Sequence, residues 1–179
     1  TKKDKQDDLI TYAGIVLGAQ YVGKTRTFEL TGKITDQIFA KQADQNNVTQ
    51  FINLNFKNEF SKRDRIILTN VFTHFEAPES SDSDSEGGYF SQQFGRTGGR
   101  FEFFRNQFNI TYSNDISKQL SLNVKYANEI NVFSGIDQDN SILNKPGFGL
   151  SYIFSPTATI FFFLFTFTSI QFEDENDAT

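Results

Sequence analysis

A chain of 179 residues has room for one domain, and its composition excludes several kinds of site. With no Cys and a single His, it can form neither a disulfide, a thiolate metal site nor a multi-histidine site. The formal net charge of −5 gives no sign of the basic face that nucleic-acid binding needs. Phe occurs 22 times, yet the mean hydropathy is only −0.43. Such a combination is typical of transmembrane β-barrels, whose strands are apolar on one face and polar on the other.

Alternation of apolar and polar residues predicts about eight antiparallel strands. The sixth is the clearest, because Leu122, Val124 and Tyr126 alternate there with Asn123 and Lys125, and Asn128 is the exception on the apolar side. The eighth strand is apolar on both faces in its middle, so its faces stay unassigned. The predicted strands span Leu9 to Val22, Thr27 to Ile38, Val48 to Phe60, Arg65 to Glu76, Phe101 to Tyr112, Gln119 to Val132, Gly147 to Phe154, and Thr157 to Phe172.

We expect the polar faces of these strands to line the lumen of an up-and-down barrel, and the apolar faces, with Ile52, Leu54, Phe56, Leu122, Val124 and Tyr126, to point outward. Charges of both signs in the lumen are compatible with two interpretations. They line a path for polar solutes in a wide barrel, or they form a plug of paired charges, since eight strands enclose only enough space for side chains. The candidate lumen-lining residues are Glu29, Lys33, Asn53, Asn55, Lys57, Glu59, Arg105, Gln107, Asn109, Asn123, Lys125 and Glu129.

The predicted connections alternate strictly between short and long. The short ones are Val22 to Thr25, Ser61 to Asp64, Ser113 to Lys118 and Ser155 to Thr157, and the long ones are Ala40 to Asn47, Ala77 to Gly99 and Ser134 to Lys145. Outer-membrane barrels have short periplasmic turns and longer extracellular loops. The sequence therefore predicts one barrel domain over residues 1–179, with residues 79–99 in a long extracellular loop.

The same alternation places both ends of the chain outside the cell, whereas a complete single-chain barrel has periplasmic ends. The C-terminal aromatic residue common in such barrels is also missing. We therefore expect the chain to be part of a larger barrel, with strands missing at both ends, so that the first strand does not pair with the last.

Three stretches carry a family resemblance: Asp7 to Thr11, Ser61 to Pro78 (SKRDRIILTNVFTHFEAP) and Gly147 to Thr157 (GFGLSYIFSPT). In these strand and turn patterns the chain resembles the second porin type of outer-membrane β-barrel proteins, often associated with exopolysaccharide gene clusters. The resemblance implies a porin or export-channel role and a further strand before the first one seen here.

Two other features are candidate sites. The acidic run from Glu79 to Glu86 contains Asp82, Asp84 and Glu86, a weak Ca²⁺ candidate that lacks the spacing of an EF-hand, and a solvated loop is the favoured interpretation. His74 lies near Asn70 and Glu76, but no Ser nucleophile motif accompanies it, so a rim or lumen-facing histidine is favoured over a hydrolase. We expect no catalytic residue, no cofactor and no enzyme activity.

The sequence thus predicts a channel or porin of the bacterial outer membrane that passes or exports polar solutes, polysaccharide among them. Its expected partners are outer-membrane lipid and other barrel strands or subunits, with no nucleic acid. Two alternatives stay open. One is a structural or adhesive barrel whose loops bind a partner, and the other is a soluble lipocalin-like barrel that turns its apolar face inward to bind lipid.

Overall fold

The computed structural model describes residues 9–41, 43, 46–77, 101–134, 139–155, 157–166 and 168–172, which form nine β-strands. The strands are β1 (Ile10–Val22), β2 (Arg26–Phe39), β3 (Asn47–Glu59), β4 (Asp64–Ala77), β5 (Phe101–Asp115), β6 (Leu120–Ser134), β7 (Asn140–Ser155), β8 (Ala158–Phe165) and β9 (Thr168–Phe172). Within these ranges there is no helix long and apolar enough to cross a membrane.

The strands form one antiparallel sheet in which each strand from β1 to β8 pairs with the next, while β9 pairs with β7. The prediction of an all-β, up-and-down arrangement is confirmed. The sheet is open: within the described residues β1 pairs with β2 alone and β8 with β7 alone, so the first and last strands do not pair, as expected.

Strand β7 begins seven residues earlier than predicted, at Asn140 instead of Gly147. Lys145, the last residue of the predicted loop, and Pro146, which follows it, continue the pairing with β6 opposite Ala127 and Tyr126. Only residues 135–139 separate β6 from β7, close to the length of the turn at residues 60–63. The expected long connection from Ser134 to Lys145 is therefore wrong, and so is the strict alternation of short and long connections at this point.

The predicted eighth strand is divided into β8 and β9, which lie along the same edge of β7. Pro146 faces the interruption, since its carbonyl accepts a hydrogen bond from the Thr166 amide over 3.3 Å. In a strand, the backbone nitrogen and carbonyl of one residue face the same neighbour. The proline nitrogen has no hydrogen to donate, so the ladder cannot continue regularly at this position.

Asp64, the first residue of β4, fixes the turn between β3 and β4. The Ser61 hydroxyl donates to one carboxylate oxygen of Asp64 over 2.5 Å, and the Asn114 amide and Tyr112 hydroxyl donate to the other. The carboxylate thereby ties the turn to β5.

A glycine on β7 makes room for an aromatic ring of β8. A Cβ added at Gly149 would meet the Phe163 ring at 3.1 Å, closer than ordinary contact, and one added at Gly147 would meet Phe165 at 3.4 Å. Gly149 is buried although it lies on the next-to-last strand. The two phenylalanine rings therefore cover backbone that the glycines leave bare.

We predict that Gly149→Val lowers the free energy of unfolding by about 1 kcal/mol, because the added methyl groups displace the Phe163 ring. Gly32→Val is the control, since a Cβ at Gly32 has no atom within 4 Å. Denaturant unfolding measures the stability of both variants. Equal stabilities of the two variants would show that the close approach at Gly149 is unimportant.

Candidate functional site

The registers of pairing assign every described strand residue to one of two faces of the sheet. One row across the sheet is Tyr21, Phe28, Phe56, Leu68, Ile110, Tyr126 and Pro146, and its side is called here the apolar face. A neighbouring row on the other side is Gln20, Glu29, Asn55, Thr69, Asn109, Ala127 and Lys145, and its side is the polar face. Alternate residues of each strand belong to the same face.

Charged residues are distributed differently on the two faces. On the apolar face of the described strands, every Asp, Glu, Lys and Arg lies within four residues of a strand end, and these are Arg26, Asp36, Asp64, Glu76 and Glu102. On the polar face, charges also occupy the middle of the strands, as at Lys33, Lys125 and Glu129. The middle of the apolar face is thus a band without formal charge.

All twelve predicted lumen-lining residues lie on the polar face, so the alternation identified a single surface. Within it, the structure brings Arg105, Gln107 and Glu129 into contact, and it pairs Lys57 with Glu59 over 2.7 Å. Asn123 accepts a hydrogen bond from Ser113 over 2.7 Å. Glu29, Lys33, Asn53, Asn55, Asn109 and Lys125 share the face, but the side-chain contacts of the described residues do not join them to these groups.

Glu129 is the centre of a polar network that joins three strands. Its carboxylate accepts hydrogen bonds from Arg105 over 2.9 Å and from Gln107 and Asn131 over 3.3 Å each. Asn131 also donates to Ser141 of β7 over 3.2 Å, and the Arg105 Nε is buried without a hydrogen-bond partner among the described residues. The Glu129 and Arg105 side chains remain 24% and 37% exposed, so the network is accessible to water.

Two shallow hollows lie beside this network. The first has a volume of about 240 Å³ and is lined by Gln107, Asn109, Ala127, Asn128, Glu129, Leu143 and Lys145. The second has a volume of about 400 Å³, and Lys125, Lys145 and the ring of Phe165 contribute to its wall. The first hollow offers charged and amide groups that suit a polar solute, whereas the second, which Ile110, Tyr126 and Phe165 also line, is mostly apolar.

The pairing with β7 resolves the unassigned faces of the last predicted strand. Ile160, Phe162 and Leu164 belong to the apolar face, whereas Phe161, Phe163 and Phe165 belong to the polar face. The rings of Phe161, Phe163 and Phe165 stack along the strand with centroids 6.0 and 6.1 Å apart. The polar face therefore ends at this edge in an exposed aromatic ladder.

His74 lies near the end of β4 on the apolar face, and it does not face the surface that carries the predicted lumen-lining residues. It is 6% exposed, and its ring stacks on Phe104 with centroids 4.2 Å apart. Its Nε2 lies 2.8 Å from a carboxylate oxygen of Glu102 on β5. The Ca²⁺ candidates Asp82, Asp84 and Glu86, and the expected loop over residues 79–99, lie outside the described residues.

The sequence reasoning missed some members of the polar face. Lys145 and Ser141 fall in the predicted loop from Ser134 to Lys145, whereas the structure places both on β7. Asn131 had the correct alternation on β6 but was not selected as a site residue. The proximity of Glu102 to His74 depends on the register of β4 and β5 across residues 78–100, which sequence spacing does not reveal, although His74 and Glu76 already share a face by alternation.

Comparison of the chain with protein-family models, with curated proteins and with solved structures yields no match. The resemblance to the second porin type remains a hypothesis that rests on the strand and turn patterns.

We predict that Glu129→Gln lowers the free energy of unfolding by about 1 kcal/mol, because Arg105 loses its charged acceptor in a site that water screens in part. Glu29→Gln is the matched control, since Glu29 lies exposed on the same face with no ion pair among the described contacts. Thermal unfolding of both variants in detergent is the measurement. A loss as large for Glu29→Gln would contradict the central role of Glu129.

Proposed function

We propose that this chain forms part of the wall of a β-barrel channel in a bacterial outer membrane, with the apolar face toward lipid and the polar face toward an aqueous lumen. The observation that carries the proposal is the band without formal charge in the middle of the apolar face. A lipid-facing charge at the middle of the bilayer costs about 2–4 kcal/mol for Lys or Arg, so a barrel excludes such residues there. The polar face has no such restriction and carries charges of both signs in mid-strand.

The pattern of burial supports an environment other than water for the apolar face. Among the described residues, only Phe75, Phe103 and Phe133 are buried hydrophobic residues, whereas Ile52, Val124, Phe148 and many others are at least 37% exposed. A water-soluble domain of this size buries most of its large aliphatic and aromatic side chains in one core. The exposed apolar side chains need lipid or further protein to cover them.

The choice between membrane and soluble barrel concerns which face is inside. Phe75, Phe103 and Phe133 lie side by side on the polar face, in register across β4, β5 and β6. These three side chains are more buried than apolar side chains in the middle of the apolar face, such as Ile52 and Val124. This difference favours the polar face as the inner side, and it disfavours a lipocalin-like barrel with an apolar cavity.

The polar face also favours the interpretation as a path for solutes over the interpretation as a plug of paired charges. The Glu129 network keeps both charged side chains partly exposed, and Lys125 and Lys145 line a hollow without an ion pair among the described residues. A polar lumen of this kind suits hydrophilic solutes. Polysaccharide as the solute rests on the family resemblance alone, and a structural or adhesive barrel is the competing proposal.

In lipid, the open edges of β1 and β8 require partners. Each unpaired backbone group costs several kcal/mol in hydrocarbon, so membranes contain closed barrels and no open sheets. We propose that strands of a longer chain or of another subunit pair with both edges. A barrel with more than eight strands then leaves room for an aqueous path, which side chains alone would fill at eight.

The orientation is testable with single-cysteine probes, because the chain has no native Cys. We predict that a fluorophore on Ile52→Cys is quenched by brominated lipid tails in proteoliposomes, whereas one on Asn53→Cys is not, since the two residues are adjacent on β3 and lie on opposite faces. Stronger quenching at Asn53 would reverse the faces. Equal and weak quenching at both sites would favour a soluble barrel.

The channel function is testable by recording currents across planar bilayers that contain the complete barrel, with the strands that pair with β1 and β8. We predict discrete conductance steps, and Lys125→Glu should shift ion selectivity toward cations because it replaces a positive charge on the polar face with a negative one. Lys24→Glu, in the exposed turn between β1 and β2, is the control with the same change in charge. Absence of conductance steps would favour the structural or adhesive barrel.

A further inference from the structure

At the end of the β4–β5 pair, three side chains with metal-binding chemistry converge on the apolar face. His74 and Glu76 are two residues apart on β4, and Glu102 stands directly opposite Glu76 on β5. One ligand atom from each of the three residues lies within 4.8 Å of the others. The convergence is a consequence of register, since two alternate residues of one strand and one residue of its neighbour share a small area of one face.

The imidazole of His74 is held in position for coordination. Its ring stacks on Phe104 at an interplanar angle of 10°, and the side chain is 8% exposed. Nε2, the nitrogen nearest Glu102, points into the cluster at 2.8 Å from the carboxylate. A buried imidazole in a fixed orientation has already lost the conformational freedom that metal binding would otherwise remove.

The negative charge of the two carboxylates attracts a cation to the cluster. Glu76 and Glu102 stand directly opposite each other across the antiparallel pair, so their carboxylates offer two anionic oxygen ligands in one place. A divalent cation between them would make a charge-assisted contact with each. The Glu102 side chain is 41% exposed, so the cluster is open to solvent on one side and leaves room for a water ligand.

We propose that His74, Glu76 and Glu102 form a binding site for a divalent transition metal of the Zn²⁺ type. One imidazole nitrogen with two carboxylate oxygens is a three-residue ligand set that Zn²⁺ accepts, with water in the fourth position. Ca²⁺ and Mg²⁺ prefer sites made of oxygen ligands only, so the buried imidazole argues against them. The bound metal would link β4 to β5 at the base of the connection over residues 78–100. This inference does not depend on the proposed channel function.

The test is calorimetric titration of Zn²⁺ into the metal-free, full-length protein in detergent. We expect one Zn²⁺ per chain, and binding at least about tenfold weaker in His74→Ala, Glu76→Gln and Glu102→Gln, since each removes one ligand. Glu59→Gln is the matched control, because Glu59 lies on the polar face at the turn end of β3, and its affinity should match that of the native protein. Failure of the native protein to bind Zn²⁺ would overturn the proposal.

A spectroscopic measurement separates this site from the acidic run over residues 79–86. Because the chain contains one His, selective isotope labelling of histidine gives the NMR signal of the His74 imidazole alone. Zn²⁺ should shift that signal in the native protein and equally in an Asp82→Asn, Asp84→Asn, Glu86→Gln variant. Zn²⁺ binding that leaves the His74 signal unchanged, or that the triple variant abolishes, would overturn the proposal.

Discussion

In-register antiparallel pairing is the constraint on which every other feature of this structure depends. Side chains alternate between the two faces with a period of two, so a slip of one residue between any two strands would move a whole strand's apolar set to the wrong side. Seven consecutive pairings keep the same assignment from β1 to β8, apart from a register shift between Ile153 and Ser155 at the end of β7. The charge-free band, the Glu129 network and the cluster at His74 all exist because these registers bring together residues from separate strands.

The apolar face accommodates several polar groups without breaking this pattern. Asn128 lies on the apolar side of β6, and its amide donates to Asn144 of β7 over 3.0 Å, while the Tyr126 hydroxyl donates to the same Asn144 oxygen over 2.7 Å. Asn70 likewise donates to Asn106 over 3.1 Å. Amide side chains that bond to one another across strands satisfy part of their own hydrogen-bonding capacity, which lowers the cost of placing them in an apolar environment.

Most of the strands were predictable because alternation is a local property. The positions of β1 to β6, the two faces of β3 and β6 and the twelve members of the polar face all follow from it. Three features were not predictable, because each depends on a neighbouring strand. Pro146 can continue β7 because its nitrogen, which has no hydrogen to donate, faces the gap between β8 and β9. The two faces of β8 follow from its pairing with Gly147 and Gly149 of β7. Glu102 lies close to His74 only because β4 and β5 pair.

The side chains of β8, at one edge of the sheet, indicate what kind of partner covers that edge. Its Ile160, Phe162 and Leu164 suit lipid, but Phe161, Phe163 and Phe165 are 62%, 56% and 61% exposed on the face where the neighbouring strands carry lysines and glycines. A strand buried on both faces usually has a continuous run of apolar residues, whereas apolar and polar residues alternate in a strand with one face in water. The aromatic ladder on the polar side therefore favours a strand that is covered on that side over one that borders open water. Among the described residues β8 is also an edge without a second partner strand, so one added segment would satisfy its backbone and cover its rings. In the proposed channel, the polar surface open to solute is then centred on β5, β6 and the start of β7, where the Glu129 network lies.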